Sequence, residues 1–340
     1  MKYISLFALL IALFGPALPA AKTLDMYVID TEGGKALLIL APSGQSMLVD
    51  AGFPGYDNRD ANRIEEAAKA AGVTKFDFML TTHYDVDHVS NVPATVAKIP
   101  VATFLDHGPA AVNDAGTTKS VAAYDEIVAK AKHVVLKPGD RIPLKGVDIV
   151  VLTSAGEAIK KPLPGGGAAN PFCAETKPMT WQRINEDISE NASAVGLFYT
   201  FGKFRMLDLA DLTWNKEVAL MCPNSPIGTV DLFMVSHHGN EISNSPALIK
   251  MIKPRVTIMN NGERKVGAAV VVQALKALPG VEANYQLHWS ANAPNDNPPD
   301  EFIANLQDSP DGKWIKVSVE ESGTFTVTNG RTGESKTFKK

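Results

Sequence analysis

Two imidazoles and two carboxylates fall within six positions of the stretch His83-Tyr84-Asp85-Val86-Asp87-His88. Imidazole nitrogen and carboxylate oxygen are donors that divalent cations accept. Neighbouring side chains diverge, so the four do not close easily on one ion. They divide instead into two pairs, His83 with Asp85 and Asp87 with His88, each facing its own cation. The chemistry to expect is a site for two metals. The apolar run Phe76-Asp77-Phe78-Met79-Leu80-Thr81 reads as a short strand, which sets the cluster at a strand's end. The plainer alternative is a polar loop holding two histidines by chance.

The elements that must position these groups follow from the rest of the chain. Strands are expected over 24–29, 36–41 and 46–49, the last two a hairpin around Pro42-Ser43-Gly44 with Asp50 at its mouth. Ile64, Ala67, Ala68 and Ala71 recur at helical spacing over 59–71, and Gly72 is a stop. A strand over 101–105, a helix over 121–132 and strands over 134–136 and 147–152 come next. Residues 156–190 form a long insertion rich in Gly and Pro, Lys161 to Gly167 most of all, either lying over the site or idling at the surface. The second half restarts with a hairpin, 194–201 and 204–209, then strands over 232–235 and 256–259. A final hairpin or meander over 314–338 turns at Asn329-Gly330. Alternation of strand and helix indicates an α/β layered core. Asp50, His83, His107, Asp211, His237 and Asn260 each fall just past a strand, so they should gather at one rim.

The 340 residues suffice for one large α/β domain or two small ones, and 45% hydrophobic with 21% charged residues is ordinary for a globular protein. With 33 basic against 37 acidic residues, the charge of −4 argues against a broad nucleic-acid surface and leaves room for a local basic groove. Two cysteines, Cys173 and Cys222, exclude a Cys-rich zinc module. Lys2, the apolar run over 4–14, Gly15-Pro16 and the small residues Ala17, Ala20 and Ala21 have the layout of a signal peptide over 1–20. The run is shorter than the ~20 apolar residues of a membrane span. A secreted or periplasmic protein without a stable membrane anchor is expected, in a compartment where Cys173 and Cys222 could pair.

The hexapeptide resembles the His-x-His-x-Asp-His loop of the metallo-β-lactamase fold superfamily, with Asp85 in place of the middle histidine. That variant is similar to the competence-type DNA-uptake hydrolase domains and the bacterial phosphorylcholine esterases. Met47-Leu48-Val49-Asp50-Ala51-Gly52 resembles the family's first motif, Leu209-Ala210-Asp211 its Gly-Asp step, and Val235-Ser236-His237-His238-Gly239 its late histidine motif. The resemblance implies an α/β fold: a single αββα sandwich over 21–340, two mixed sheets face to face with helices outside. It implies that His83 and Asp85 bind one ion, that Asp87, His88 and His238 bind the other, and that Asp211 bridges them. Zn2+ suits this N/O set, and Mn2+ or Fe2+ is tolerable. Asp50 would orient a ligand histidine.

A water bridging the ions would be the nucleophile. Asp87 and His237 are the candidate catalytic residues, His237 as a substrate or proton-transfer group, with the reverse assignment of His237 and His238 still open. The family's third-motif histidine is missing. His107, at a strand end, is a ligand or substrate contact or else a buried loop histidine. His133 reads as structural and His288 as packed. Asn260 and Asn261 could donate to an oxyanion. Arg264-Lys265 and Lys160-Lys161 are solvated surface unless they face the cleft, where either could steady a phosphate. The expected function is a secreted dinuclear hydrolase of phosphoesters or phosphodiesters. The rivals are hydrolysis of a lactam or lactone ring, and a non-catalytic binding protein on the same fold.

Overall fold

Segments such as Leu37-Leu38-Ile39 bury both faces, which strands do when packed between two layers. The computed structural model describes residues 23–112, 115–176, 187–307 and 312–340. The expected signal peptide and residues 177–186 of the insertion lie outside the described residues. In chain order the first half forms β1 (Leu24–Val28), β2 (Leu37–Leu40), β3 (Ser46–Val49), α1 (Arg59–Ala70), β4 (Phe78–Leu80), α2 (Val86–Val89), α3 (Val92–Val96), β5 (Phe104–Asp106), α4 (Ala115–Val128) and β6 (His133–Val135). The second half forms β7 (Arg141–Ile142), β8 (Asp148–Ser154), β9 (Glu157–Ala158), β10 (Gly196–Phe201), β11 (Phe204–Asp208), α5 (Trp214–Met221), β12 (Leu232–Met234), α6 (Pro246–Ile252), β13 (Val256–Met259), α7 (Ala269–Lys276), β14 (Ala283–His288) and β15 (Ile303–Asn305). The tail forms β16 (Ile315–Val319), β17 (Phe325–Asn329) and β18 (Ser335–Phe338).

Two mixed sheets result. One runs β18-β17-β16-β1-β2-β3-β4-β5-β6, the other β15-β14-β13-β12-β11-β10-β8-β7 with β9 paired to β8. The main apolar core lies between the sheets. There Phe204 and Phe325, one from each, meet edge to face with centroids 5.3 Å apart. Truncating either to Ala would cost about 3–5 kcal/mol. Ile64, Ala67 and Ala68 of α1 and Tyr124 of α4 pack on the outer face of the first sheet. Leu248, Val271 and their neighbours from α6 and α7 pack on the second. This is the αββα sandwich, and it matches the metallo-β-lactamase fold.

Three features depart from the sequence reading or sharpen it. The helix expected from 121 begins at Ala115, because its first turn, Ala115-Gly116-Thr117-Thr118, has no apolar period to announce it. The tail is a meander, and β16 pairs with β1 in register Met26↔Val317, so the C-terminal strands extend the sheet that the N-terminus starts. The described part of the insertion is strapped along the helical side of the second sheet: Leu163 N donates to Pro226 O, and Asn170 Nδ2 to the carbonyls of Met221 and Ala247. A disulfide joins Cys173 to Cys222 in the same region. Among the described residues of the insertion, its end returns to the rim that bears the candidate ligands, with Asp187 accepting from Thr213 Oγ1 and Glu190 from Tyr84 N. No described helix is long and apolar enough to cross a membrane.

Candidate metal centre

Strands β3, β4 and β5 run parallel, as do β11, β12 and β13. Their carboxyl ends open on one rim, where α/β sheets present functional groups. Asp50 follows β3, His83 follows β4, Asp211 follows β11, His237 and His238 follow β12, and Asn260 follows β13. Asp87 and His88 sit on the single turn of α2, whose N-cap is Asp85. The backbone is forced at several of these points. Asp50, Ala210, His237 and His238 all have left-handed φ, between 49° and 59°. Such conformations cost of order 1–3 kcal/mol each and concentrate at functional sites.

The rim brings Asp87, His88, Asp211 and His238 together, all buried, with one donor atom from each within 4.8 Å of the others. His88 Nε2 lies 3.2 Å from Asp211 Oδ2, 3.2 Å from His238 Nε2 and 3.7 Å from Asp87 Oδ2. His238 Nε2 lies 3.1 Å from Asp211 Oδ2 and 3.2 Å from Asp87 Oδ2. Metal bonds of ~2.0–2.1 Å in a tetrahedron separate ligand atoms by roughly 3.3–3.4 Å, the scale of these spacings. Each ring is also turned the right way. Asp50 Oδ2 accepts from His88 Nδ1 at 2.9 Å, and His238 Nδ1 faces Asn260, 3.2 Å from its carbonyl oxygen and 2.9 Å from its amide nitrogen, so both Nε2 atoms point into the cluster.

His83 and Asp85 lie beside the four as a second pair, Nε2 to Oδ2 3.7 Å, with the His83 ring 4.0 Å from that of His88. Thr82 Oγ1 donates to Asp50 Oδ2 and accepts from His83 Nδ1 at 3.1 Å. That leaves His83 Nε2 buried with no hydrogen-bond partner, Asp85 being its nearest carboxylate. Asp50 therefore fixes one histidine directly and a second through Thr82, as outer partners of metal-bound histidines do. The orphaned nitrogen and the converging lone pairs fit a donor set for divalent cations.

Electrostatics agree. Burial alone would raise the Asp87 and Asp211 carboxyls, but neighbouring histidines, and Lys265 beside Asp87, hold both well below the usual carboxylate range. Burial pulls His88 down, yet Asp211, Asp50 and Asp87 push it well above its ordinary value. A buried ring held cationic by three carboxylates marks a point that demands positive charge. His237 behaves differently: burial lowers it to about 4, so it is neutral at pH 7. Its Nδ1 faces Ser243 Oγ at 3.3 Å, and its Nε2 is 3.6 Å from Asp211 Oδ2 at the partly open edge.

Other candidates fall elsewhere. His107 Nε2 bonds Glu190 Oε1 at 2.8 Å and its ring lies tilted against Tyr84, centroids 4.6 Å apart, so it is engaged with the wall of the site and not with the cluster. His133 pairs with Asp106 and His288 with Asp30. Asn260 donates its amide to Gly34 O, and Asn261 donates to Gly262 O and His288 O. Both amides are engaged within the protein, and that of Asn260 also stands 2.9 Å from His238 Nδ1, beside the cluster.

Two residues gain importance. Lys265 Nζ contacts Asp87 Oδ2 and lies 4.6 Å from the Phe53 ring centre, so the basic pair does face the rim through this lysine. Glu190, buried, accepts from Tyr84 N at 3.2 Å and from Ala111 N at 2.8 Å, bracing the loop that carries His83. Nothing local marks Glu190 in the sequence, since it ends a polar run inside an insertion.

The metallo-beta-lactamase superfamily matches residues 29–175, the part that bears Asp50 and the His83–His88 stretch. Over those residues the chain is similar to that superfamily, whose members are mostly metal-dependent hydrolases. Among solved structures the fold is similar to the metallo-beta-lactamase fold protein YhfI from Bacillus subtilis, at 12% identity over 78% of this chain and 96% of that one, TM-score 0.47. A putative metal-dependent hydrolase from Parabacteroides distasonis is 17% identical over 76% and 91%, TM-score 0.41. CmlA, a diiron beta-hydroxylase from Streptomyces venezuelae, is 14% identical over 78% and 52%, TM-score 0.44. No curated protein matches the sequence.

Proposed function

We propose that this protein is an exported dinuclear metallohydrolase acting on phosphoesters or phosphodiesters. The observation behind it is the Asp87, His88, Asp211, His238 cluster, with His83 and Asp85 as a second pair beside it. Divalent cations there would supply Lewis acidity and an acidified water. The chain's own residues do the rest. Asp50, Thr82 and Asn260 hold the rings with Nε2 inward. His237, neutral and at the open edge, is the group that can take or return a proton.

The preference for phosphorus rests on charge and on resemblance. Lys265 puts an ammonium at the rim next to Asp87, where an anionic ester would be held. Asp85 and the His237-His238-Gly239 motif resemble the competence-type and phosphorylcholine-esterase branches. Export is supported by the N-terminal apolar run and by the Cys173–Cys222 disulfide, a bond that persists in oxidising compartments. Zinc is the expected ion, with manganese or iron compatible.

The test is metal analysis of the purified protein followed by assays on bis(p-nitrophenyl) phosphate and nitrocefin. Close to two ions per chain and phosphodiester cleavage are expected. Ring opening of nitrocefin without phosphodiester cleavage would reverse the substrate reading, and a chain that cannot be loaded with metal would end the enzymatic one.

A further inference from the structure

Lys35 keeps a charged side chain in the interior. It is 4% exposed, and its Nζ lies 2.5 Å from Oδ1 of Asp208, itself 3% exposed. The two are 173 positions apart and come from opposite sheets, Lys35 just before β2 and Asp208 at the end of β11. Taking both charges out of water is expensive, and neither belongs to the ligand cluster. The pair needs a reason in what it touches.

Its contacts supply one. Lys35 N donates to Asp87 O at 3.1 Å, and Lys35 O accepts from Gly52 N at 3.0 Å, two residues past Asp50. Its side chain reaches Asp208, whose Oδ1 also accepts from Ala210 N at 3.0 Å. Ala210 holds the left-handed turn (φ 49°) that delivers Asp211. One residue thus touches the segments of Asp50 and Asp87 through its backbone and that of Asp211 through its ammonium. Without the ammonium, Oδ1 would keep only the Ala210 amide, while Oδ2 of Asp208 is already buried without a partner. A buried carboxylate so under-satisfied would turn or draw in water, and the Ala210 turn would move with it.

We propose that Lys35, acting through Asp208, is a positioning residue that sets the Asp211 carboxylate at ligand distance from the histidines of both sheets. This rests on the reading of Asp211 as a metal ligand. Position, and not charge near the metal, is the essential point, so a neutral donor of similar reach should serve in place of the ammonium.

The experiment compares wild type, Lys35→Met, Lys35→Gln, Asp208→Asn and Asp211→Ala for Zn2+ affinity by competition with a chromophoric chelator. The melting temperature of each metal-free protein is measured in parallel. Expected are a loss in affinity of about 10–100-fold for Lys35→Met, the range for outer partners of metal ligands, substantial recovery in Lys35→Gln, and a larger loss in Asp211→Ala. A purely structural role would instead lower the metal-free melting temperature and leave affinity within about twofold of wild type, which overturns the proposal. So does Lys35→Gln binding no better than Lys35→Met. Should Lys35→Met fail to fold, Asp208→Asn decides by the same criterion. Wild type that binds no Zn2+, or Asp211→Ala that binds it normally, removes the metal-ligand reading itself. Normal binding by wild type and Lys35→Met alike removes only the role of Lys35.

Discussion

The Nε2 atoms of His88 and His238 lie 3.2 Å apart, each ring tethered through its other nitrogen, one to Asp50 and one to Asn260. Two lone pairs aimed at one point repel unless something positive stands between them. In the metal-free protein that is a proton, since the surrounding carboxylates push His88 well above its ordinary pKa. A divalent cation and this proton compete for one place.

Metal binding is therefore expected to release about one proton near pH 7, and affinity should fall about tenfold per pH unit as the solution is acidified. Titration calorimetry in buffers of differing ionisation enthalpy counts the protons. A count of zero would mean that His88 is already neutral before loading.

The adjacent histidines should separate cleanly. His238→Ala removes a member of the cluster and should strip metal from the protein. His237→Ala should keep the metal, because its ring stands at the edge, and lower kcat by about 10²–10⁴-fold, the range for a positioned acid or base. Metal content and kcat, measured on both variants, check the pair. Metal loss in His237→Ala would make it a ligand.

Lys265→Met should weaken catalysis on anionic esters most. A charge-assisted hydrogen bond worth roughly 1.5–3 kcal/mol corresponds to about 10–100-fold in kcat/KM. The check is the ratio of kcat/KM for a phosphodiester to that for a neutral ester, which should fall by that factor. A ratio unchanged from wild type would confine Lys265 to its pairing with Asp87.

Glu217, buried on α5, accepts from Asn244 N and Ser245 N, yet burial outweighs these bonds and pushes its carboxyl up to about 7. From about pH 4.5 to 7 the folded chain then holds a proton that the unfolded chain has released, so stability falls as pH rises, by about 3 kcal/mol across the window. Glu217→Gln cannot ionise and should be spared this loss. Urea denaturation of both metal-free proteins should show the variant gaining on wild type from pH 4.5 to 8. A constant difference would place the Glu217 pKa near its ordinary value.

Much of this site was legible in the chain because several of its residues follow strands. Asp50, His83 and Asp211 all follow short apolar runs, and strands that lie parallel bring their ends to one rim. Asp87 and His88 were visible as residue types, although the helical turn that holds them was not, since four residues show no period. Contacts made across large separations left no local trace. Glu190 reaches Tyr84 over 106 positions and Lys35 reaches Asp208 over 173, and an isolated acid or base looks like any surface charge. His107 shows the reverse: its place at a strand end suggested metal, whereas a buried carboxylate absent from any motif takes up its ring.

The turn Glu32-Gly33-Gly34 is wedged between the segment that carries Asp87 and the loop that carries Lys265, backbone close against backbone on both sides. A methyl on Gly34 would come within 2.7 Å of Asp87 O, and one on Gly262 within 2.5 Å of Glu32 O. Peptide groups butted together cannot be repacked by exchanging one side chain for another, so this seam fixes the width of the opening on that side. A descendant of this protein that adapts to a bulkier or slimmer ester would have to do so through side chains, as in the turn from Phe53 to Asn58, whose Phe53 ring meets Lys265 and whose Tyr56 is 71% exposed.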